Sequence, residues 1–373
     1  MNSKIEVFTP IRGIAAILIV FSHMHFLWEK YPALAFLGNG NFSVILFFVL
    51  SGFVLMYRYE EVFKNKVSFG DYTLFIKHRI KKIYPLYILS QLIFFVFVVA
   101  GEVIHKGGGV STFLKYLRQF IYSATMLQSL IPFESVCLVM NTSLWYVSVL
   151  FFFYLITPVL IRVINCILKS NTIIRSLIAV IFMLLLFSFA AKGIDNISLW
   201  LQNVFPNEII VLGVTTPYIN IFYFVIGMLV CKFYLICKDQ KVDEKVPFSV
   251  ASVLEFILGF GLLCLNFCWV DKRINILAIT LCIMVMAFQK GLLTGFLCRC
   301  KPIVFLGNIS FHIYVLHFVY IGIFAYIFKM IFPDTMMSFV ILFISLWVLI
   351  ILSAYIVYCV ENKRRQNLCD NKN

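Results

Sequence analysis

The sequence predicts an all-α, polytopic integral membrane protein of about ten transmembrane helices with both termini cytoplasmic. Composition is the first reason. Hydrophobic residues make up 62% of the 373, charged residues only 13%, and phenylalanine alone contributes 41. Soluble domains average about 45–50% apolar and about 25% charged residues. The second reason is that the apolar residues fall in runs of about twenty, the length a helix needs to cross hydrocarbon. The third is the distribution of lysine and arginine. With the N-terminus inside, 23 of the 31 lie on the inner side and eight on the outer side, the asymmetry that orients membrane proteins. The net charge of +14 is therefore mostly a topology signal and not a nucleic-acid footprint.

The runs are 11–28, 42–58, 84–101, 143–162, 173–191, 215–234, 248–269, 274–290, 303–328 and 336–360. The first is too long for a signal peptide, holds two histidines and lacks a small-residue cleavage site, so it is expected to stay as an anchor. The third follows a basic stretch, KHRIKKIYP (77–85). Residues 102–142 contain GGG at 107–109 and a semi-apolar segment near 113–131, read as a helix that enters the membrane without crossing it. The ninth run is long enough to be tilted. Residues 1–361 are expected to form one transmembrane domain and 362–373 a short basic cytoplasmic tail, with no segment long enough for an appended soluble module. The eleven cysteines include no CxxC pair; without the repeated spacing of metal or disulfide frameworks they read as apolar fillers, and no metal site is expected.

The first run also carries candidate chemistry. Arg12 and His23 are eleven residues apart, about 20° beyond three full helical turns, so they share one face about 16 Å apart along the axis. His25 points away from that face and reads as a structural residue near the outer interface. An ionisable group inside a spanning segment costs a few kcal/mol and usually faces a cavity or pathway. Arg12 can be a snorkelling inner-side anchor or part of a site; His23 can be a helix–helix hydrogen-bonding group or a catalytic one. The stretch around Arg79 and Lys82 is likewise either a topology anchor beside acidic headgroups or a cytoplasmic anion site for phosphates.

Several segments together resemble the membrane acyltransferase family 3 proteins, the bacterial group that O-acylates surface polysaccharides. The resemblance covers most of the chain. It rests on Arg12 and His23 at their spacing, FFVLSGF (47–53), HRIKKIYP (78–85), LWYVSVLFFFYLITP (144–158) and LGNISFHIYVLHF (306–318). It departs from the family pattern at His78 and Lys82, where arginines are usual, and at Ile45, Val149 and Leu150, where many members carry acidic residues. Members with a C-terminal extracytoplasmic hydrolase-like domain are longer, and none is expected here.

The resemblance implies an O-acyltransferase that moves an acyl group, usually acetyl, from cytoplasmic acetyl-CoA or another acyl-CoA to a hydroxyl of a surface glycan such as O-antigen. The expected location is the bacterial inner membrane, with no bound cofactor and with lipids, donor and glycan as partners. Arg12 and His23 are the implied catalytic pair. His23 would be general base or acyl relay, since a sugar hydroxyl is a poor nucleophile without one. Arg79 and Lys82 would meet the donor's phosphates. Ser51, beside Gly52, serves donor approach or close helix packing. Trp145 lines an acceptor path or anchors the helix at the interface. His317 is assigned to the acceptor site, whereas His312 and His105 are read as structural.

A transporter or exporter of a glycan or lipid precursor is the alternative. Gradient-driven transporters usually place carboxylates at mid-membrane. Of the seventeen Asp and Glu residues, only Glu255 falls clearly inside a predicted run, and the two halves show no convincing repeat.

Overall fold

The apolar runs become helices that bury their backbone hydrogen bonds internally, as lipid requires. The computed structural model describes residues 4–107, 109–169, 172–268, 270–333 and 335–370. In order the helices are α1 (Phe8–His23), α2 (His25–Lys30), α3 (Gly40–Phe63), α4 (Phe69–Lys106), α5 (Val110–Ala124), α6 (Glu134–Cys137), α7 (Trp145–Ile167) and α8 (Ile173–Val204). They continue with α9 (Pro217–Asp239), α10 (Phe248–Phe267), α11 (Lys272–Met286), α12 (Leu292–Arg299), α13 (Lys301–Val319), α14 (Ala325–Ile331) and α15 (Met336–Asp370). Strands are absent among the described residues apart from an isolated bridge between Phe133 and Ile210. The chain is an all-α polytopic membrane protein.

Among the described residues, eight helices are long and apolar enough to cross a membrane, and α1 is a shorter apolar helix. The run expected as one helix over 11–28 is broken. At Met24 the backbone leaves the helical region (φ −83°, ψ 58°), and its N–H turns back to the Phe21 carbonyl. The apolar pattern continues through Phe26 and hides this break. With 16 residues, α1 rises only about 24 Å, short of the ~30 Å hydrocarbon core. The run expected over 274–290 is also realised as a short helix, α11, of 15 residues.

Elsewhere helix ends follow local chemistry. Ser68 caps α4 by accepting from the Asp71 N–H at 3.1 Å. Gly107 ends that helix at φ 62°, a left-handed position that glycine adopts without a Cβ clash. The semi-apolar segment becomes α5, which lies against α4 and leaves Val110, Leu114 and Ile121 exposed. Gly108 and the side chains of His105 and Lys106 lie outside the described residues. At the C-terminus, α15 carries helix through most of the segment expected as a tail.

The bundle is centred on α3 and α9, the most buried of the long helices, while α8, α10 and α15 turn most of their apolar side chains outward. Two pairs of glycines set the central crossings. A Cβ on Gly52 would lie 1.9 Å from the Phe224 carbonyl oxygen, and one on Gly227 would lie 2.0 Å from that of Val49, so α3 and α9 touch backbone to backbone. The same device joins α1 to α13. A Cβ on Gly307 would lie 2.0 Å from the Thr9 oxygen, and one on Gly13 would lie 2.6 Å from the Gly307 nitrogen. Small residues permit such approaches in lipid, where packing must replace the hydrophobic drive.

Candidate active site

The α1–α13 crossing fixes where the polar residues of α1 can go. At its start, Arg12 is half-buried and its Nε donates to the Phe8 carbonyl at 3.2 Å. Arg58, from the last part of α3, lies near enough to repel it, and Tyr146 and Tyr154 of α7 lie near enough to act on its charge. Lys4 approaches the same place: burial first, and then the repulsion of Arg12, hold its ammonium below the usual lysine range.

Arg79 completes this basic end. It donates to the Tyr59 hydroxyl, and its guanidinium stands 5.0 Å, 5.2 Å and 5.6 Å from the ring centres of Tyr59, Phe75 and Tyr154. Its Nε is buried with no hydrogen-bond partner. Arginine suits such stacked, planar anion recognition better than lysine. Lys82 is exposed on the next turn of α4.

At the other end of α1, His23 is the last residue before the break. Its Nδ1 lies 3.0 Å from the Ile19 carbonyl oxygen, while Ser22 Oγ also donates to that oxygen at 2.8 Å. Both side chains thus fold back onto a carbonyl of the last helical turn. From α13, His317 is fully buried. Its Nδ1 lies 2.7 Å from the Tyr314 carbonyl oxygen, and its Nε2 lies 3.4 Å from His23 Nδ1. The two rings are 4.9 Å apart.

The two carbonyls fix the tautomers. A ring nitrogen facing a carbonyl oxygen must carry hydrogen, so both Nδ1 atoms donate and both Nε2 atoms keep a lone pair. His23 directs its Nδ1–H at the Ile19 carbonyl, and His317 Nε2 approaches the same nitrogen at 3.4 Å. Nε2 of His23, on the half-buried ring, keeps its lone pair without a protein partner among the described residues. A neutral imidazole with an available Nε2 is a proton acceptor in waiting.

Aromatic rings connect the two ends. Tyr146, in electrostatic reach of Arg12, lies 5.3 Å ring to ring from Tyr314, which lies 5.7 Å from His317. Ser51 Oγ is 3.3 Å from the Tyr146 hydroxyl, so Ser51 joins this column. The Tyr314 hydroxyl donates to the Ser143 carbonyl. Asn141 braces α13 by donating to Ser90 Oγ at 2.7 Å and to the Val315 oxygen at 3.3 Å. A π-helical turn, Tyr320–Phe324, begins three residues after His317, the kind of irregularity that recurs at functional sites.

The structure therefore gathers Arg12 with Arg79 and His23 with His317. It places Ser51 between the two groups and Trp145 on the wall of a separate cavity shared with Asn39, Asn220 and Asn275. His25 is exposed beyond the break. His312 faces away from the site, with Nε2 3.4 Å from the Glu361 carboxylate. Ile45, Val149 and Leu150 are buried in the apolar core. Arg58, Tyr146, Tyr314 and Asn141 are new members. Tyr314 was discernible as the residue one helical turn before His317, but Arg58 is indistinguishable in sequence from an inner-side anchor. Glu255, the carboxylate a transporter reading would need, accepts from the N–H groups of Gly291 at 2.8 Å and Thr294 at 2.9 Å. It thereby caps the start of α12, where a negative charge is favoured.

A model described as an acyltransferase domain matches residues 10–359. The chain is similar to the protein described as Protein 2 in picA locus of Rhizobium radiobacter, with 38% identity over 81 residues, 21% of this chain and 38% of that protein. It is also similar to the acyltransferase MdmB of Streptomyces mycarofaciens, with 32% identity over 127 residues, 34% of this chain and 30% of that protein. The chain thus spans about a third of the length of these curated relatives. No solved structure matches it.

Proposed function

We propose, on the premise that this chain belongs to the acyltransferase family whose model spans residues 10–359, that it carries an acyl group from a cytoplasmic acyl-CoA to a hydroxyl of a surface glycan. The acyl group is most simply acetyl, and the acceptor an O-antigen or similar lipopolysaccharide glycan of a bacterial inner-membrane system. The single observation that carries this reading is the division of α1. A cluster of cations surrounds its first turns, and a histidine nitrogen without a protein partner among the described residues stands at its last residue.

The two ends fit the two substrates. Arg12, Arg58 and Arg79 converge where a donor rich in phosphate would arrive, and the orphaned Arg79 Nε has a donor hydrogen to offer an anion. The donor's long flexible arm would run along the Tyr146–Tyr314 column and bring its thioester toward His23. There the acceptor hydroxyl attacks the thioester carbonyl while Nε2 of His23 takes its proton. The carbon–sulfur bond then breaks, the acyl ester forms, and the thiolate leaves with the donor. General-base help of this kind contributes about 10²–10⁴ in rate. His317 holds the His23 ring in place from behind. The inner-side excess of lysine and arginine supports an orientation with both termini and the basic cluster in the cytoplasm.

The test is base-labile acetate on purified surface polysaccharide from cells making the wild-type chain or His23→Ala at equal membrane levels. Acetate with the first and none with the second is the expected result. Equal acetate from both would leave the transferase standing and remove His23 from its chemistry. No structural observation favours the transporter, since Glu255 is committed to capping α12.

A further inference from the structure

We infer that Asn141 is a positioning residue for the reaction: from the segment ahead of α7 it fixes the turn of α13 that carries His317, and through it the aim of the histidine pair. This deepens the acyl-transfer reading and rests on it for the chemistry served; the hold itself is argued from the packing.

Both histidines sit where regular helix runs out. His23 is the last residue of α1, and α13 ends at Val319, just after His317. Beyond it the chain turns π-helical over Tyr320–Phe324, where the regular i→i+4 pattern is lost. The glycine crossing anchors α13 at Gly307, about three turns away from His317. A ring fixed near such a helix end needs support from the side.

That support comes from residues 141–143. The Asn141 side chain donates to the Val315 carbonyl at 3.3 Å and to Ser90 Oγ of α4 at 2.7 Å. The Tyr314 hydroxyl donates to the Ser143 carbonyl. Two neighbouring residues of α13 are thereby held by one segment, Val315 by its backbone and Tyr314 by its side chain. Tyr314 also supplies the carbonyl that takes His317 Nδ1–H at 2.7 Å. The acceptor that orients the ring thus belongs to a residue that the segment fixes.

Asn141 is itself held on every side. It is 1% exposed, and each of its polar groups has a partner. Its N–H donates to Gln91 Oε1 at 3.1 Å, its Oδ1 accepts from Ser143 Oγ at 2.7 Å, and its carbonyl accepts from the Leu144 N–H at 3.1 Å. A buried network satisfied in this way rigidifies what it joins. The preceding residue, Met140, stands at φ 58°, a left-handed conformation that persists where the surroundings impose it. A side-chain amide supplies two N–H donors and an acceptor at once; aspartate lacks those donors, and leucine lacks all three groups.

The experiment is nitrogen NMR of the full chain, labelled with nitrogen-15 at histidine and held in lipid nanodiscs. His317 is assigned from the signals lost in His317→Gln. The kcat and donor KM are measured on the same discs with labelled acetyl-CoA and a glycan acceptor. Wild type should show His317 as one tautomer, protonated at Nδ1. Asn141→Leu should show both tautomers, with kcat lowered about ten- to a hundredfold by the misplaced ring and donor KM unchanged. Tyr314→Phe removes a single hydrogen bond from the same hold, and it carries the test, with smaller changes in both readouts, where Asn141→Leu fails to fold. Lys232→Met breaks the buried contact with Glu60 and should leave the His317 tautomer and the kcat of folded protein as in wild type. A single unchanged tautomer in the folded variants, or a kcat loss no greater than in Lys232→Met, overturns the assignment. A tautomer that depends on Asn141, in discs that transfer no acyl group, supports the hold on His317 and removes the acyl-transfer reading.

Discussion

His317 Nε2 stands 3.4 Å from His23 Nδ1, across the contact between the last residue of α1 and the core of α13. The nearer partner of His23 Nδ1 is the Ile19 carbonyl at 3.0 Å. His23 Nε2 has no protein partner among the described residues, and we propose that His317 is a positioning residue rather than a second base.

His317→Gln should therefore lower turnover less than His23→Ala does. We expect roughly a tenfold loss for His317→Gln against about 10²–10⁴ for His23→Ala, read as labelled acyl-CoA turnover in membranes. Equal losses would mean that both imidazoles take part in the proton transfer.

The α1–α13 contact depends on the glycine in the LGNIS segment. Gly307→Ala places a methyl 2.0 Å from the Thr9 oxygen, and backbone cannot yield as a side-chain tip does. The helices must part, at about 1–3 kcal/mol, and activity should fall with the thermal midpoint. Gly261→Ala meets nothing within 4 Å and should leave both unchanged.

Arg79→Lys keeps the charge but loses the planar contact with Tyr59, Phe75 and Tyr154. The KM for acyl-CoA should rise about tenfold, a hydrogen bond to a charged group being worth about 1.5–3 kcal/mol. The kcat should change little. A fall in kcat at constant KM would place Arg79 in the chemical step instead.

Lys232 Nζ bonds Glu60 Oε1 at 2.6 Å and Asn165 Oδ1 at 2.8 Å, all within the bundle. Lys232→Met strands a buried carboxylate and should destabilise by about 3–5 kcal/mol. The double variant with Glu60→Leu should recover much of that loss in denaturant or thermal unfolding.

The helical period made the Arg12–His23 alignment legible, because α1 is regular from one to the other. The motif around LGNISFHIYVLHF likewise marked His317. The break at Met24 was not legible, since Met24 and Phe26 continue the apolar run and only φ and ψ distinguish a helix end from its interior. Nor was the Tyr146–Tyr314 column, in a chain where aromatic residues are 17% of the total and most of them face core or lipid. Arg58 shares its sequence context with ordinary inner-side anchors; only the fold brings it beside Arg12. Glu255 was visible as the lone carboxylate of its run, but its duty as a cap for α12 depends on a partner 36 residues away.

The two ends of α1 are assigned different work, and steady-state kinetics with purified protein, labelled acyl-CoA and a glycan acceptor separates them. Arg12→Ala should raise the donor KM at least tenfold, a charged contact being worth about 1.5–3 kcal/mol. His23→Ala should lower kcat by about 10²–10⁴ with donor binding intact. If His23→Ala instead weakens donor binding and leaves kcat unchanged, the division fails, and His23 is not the base.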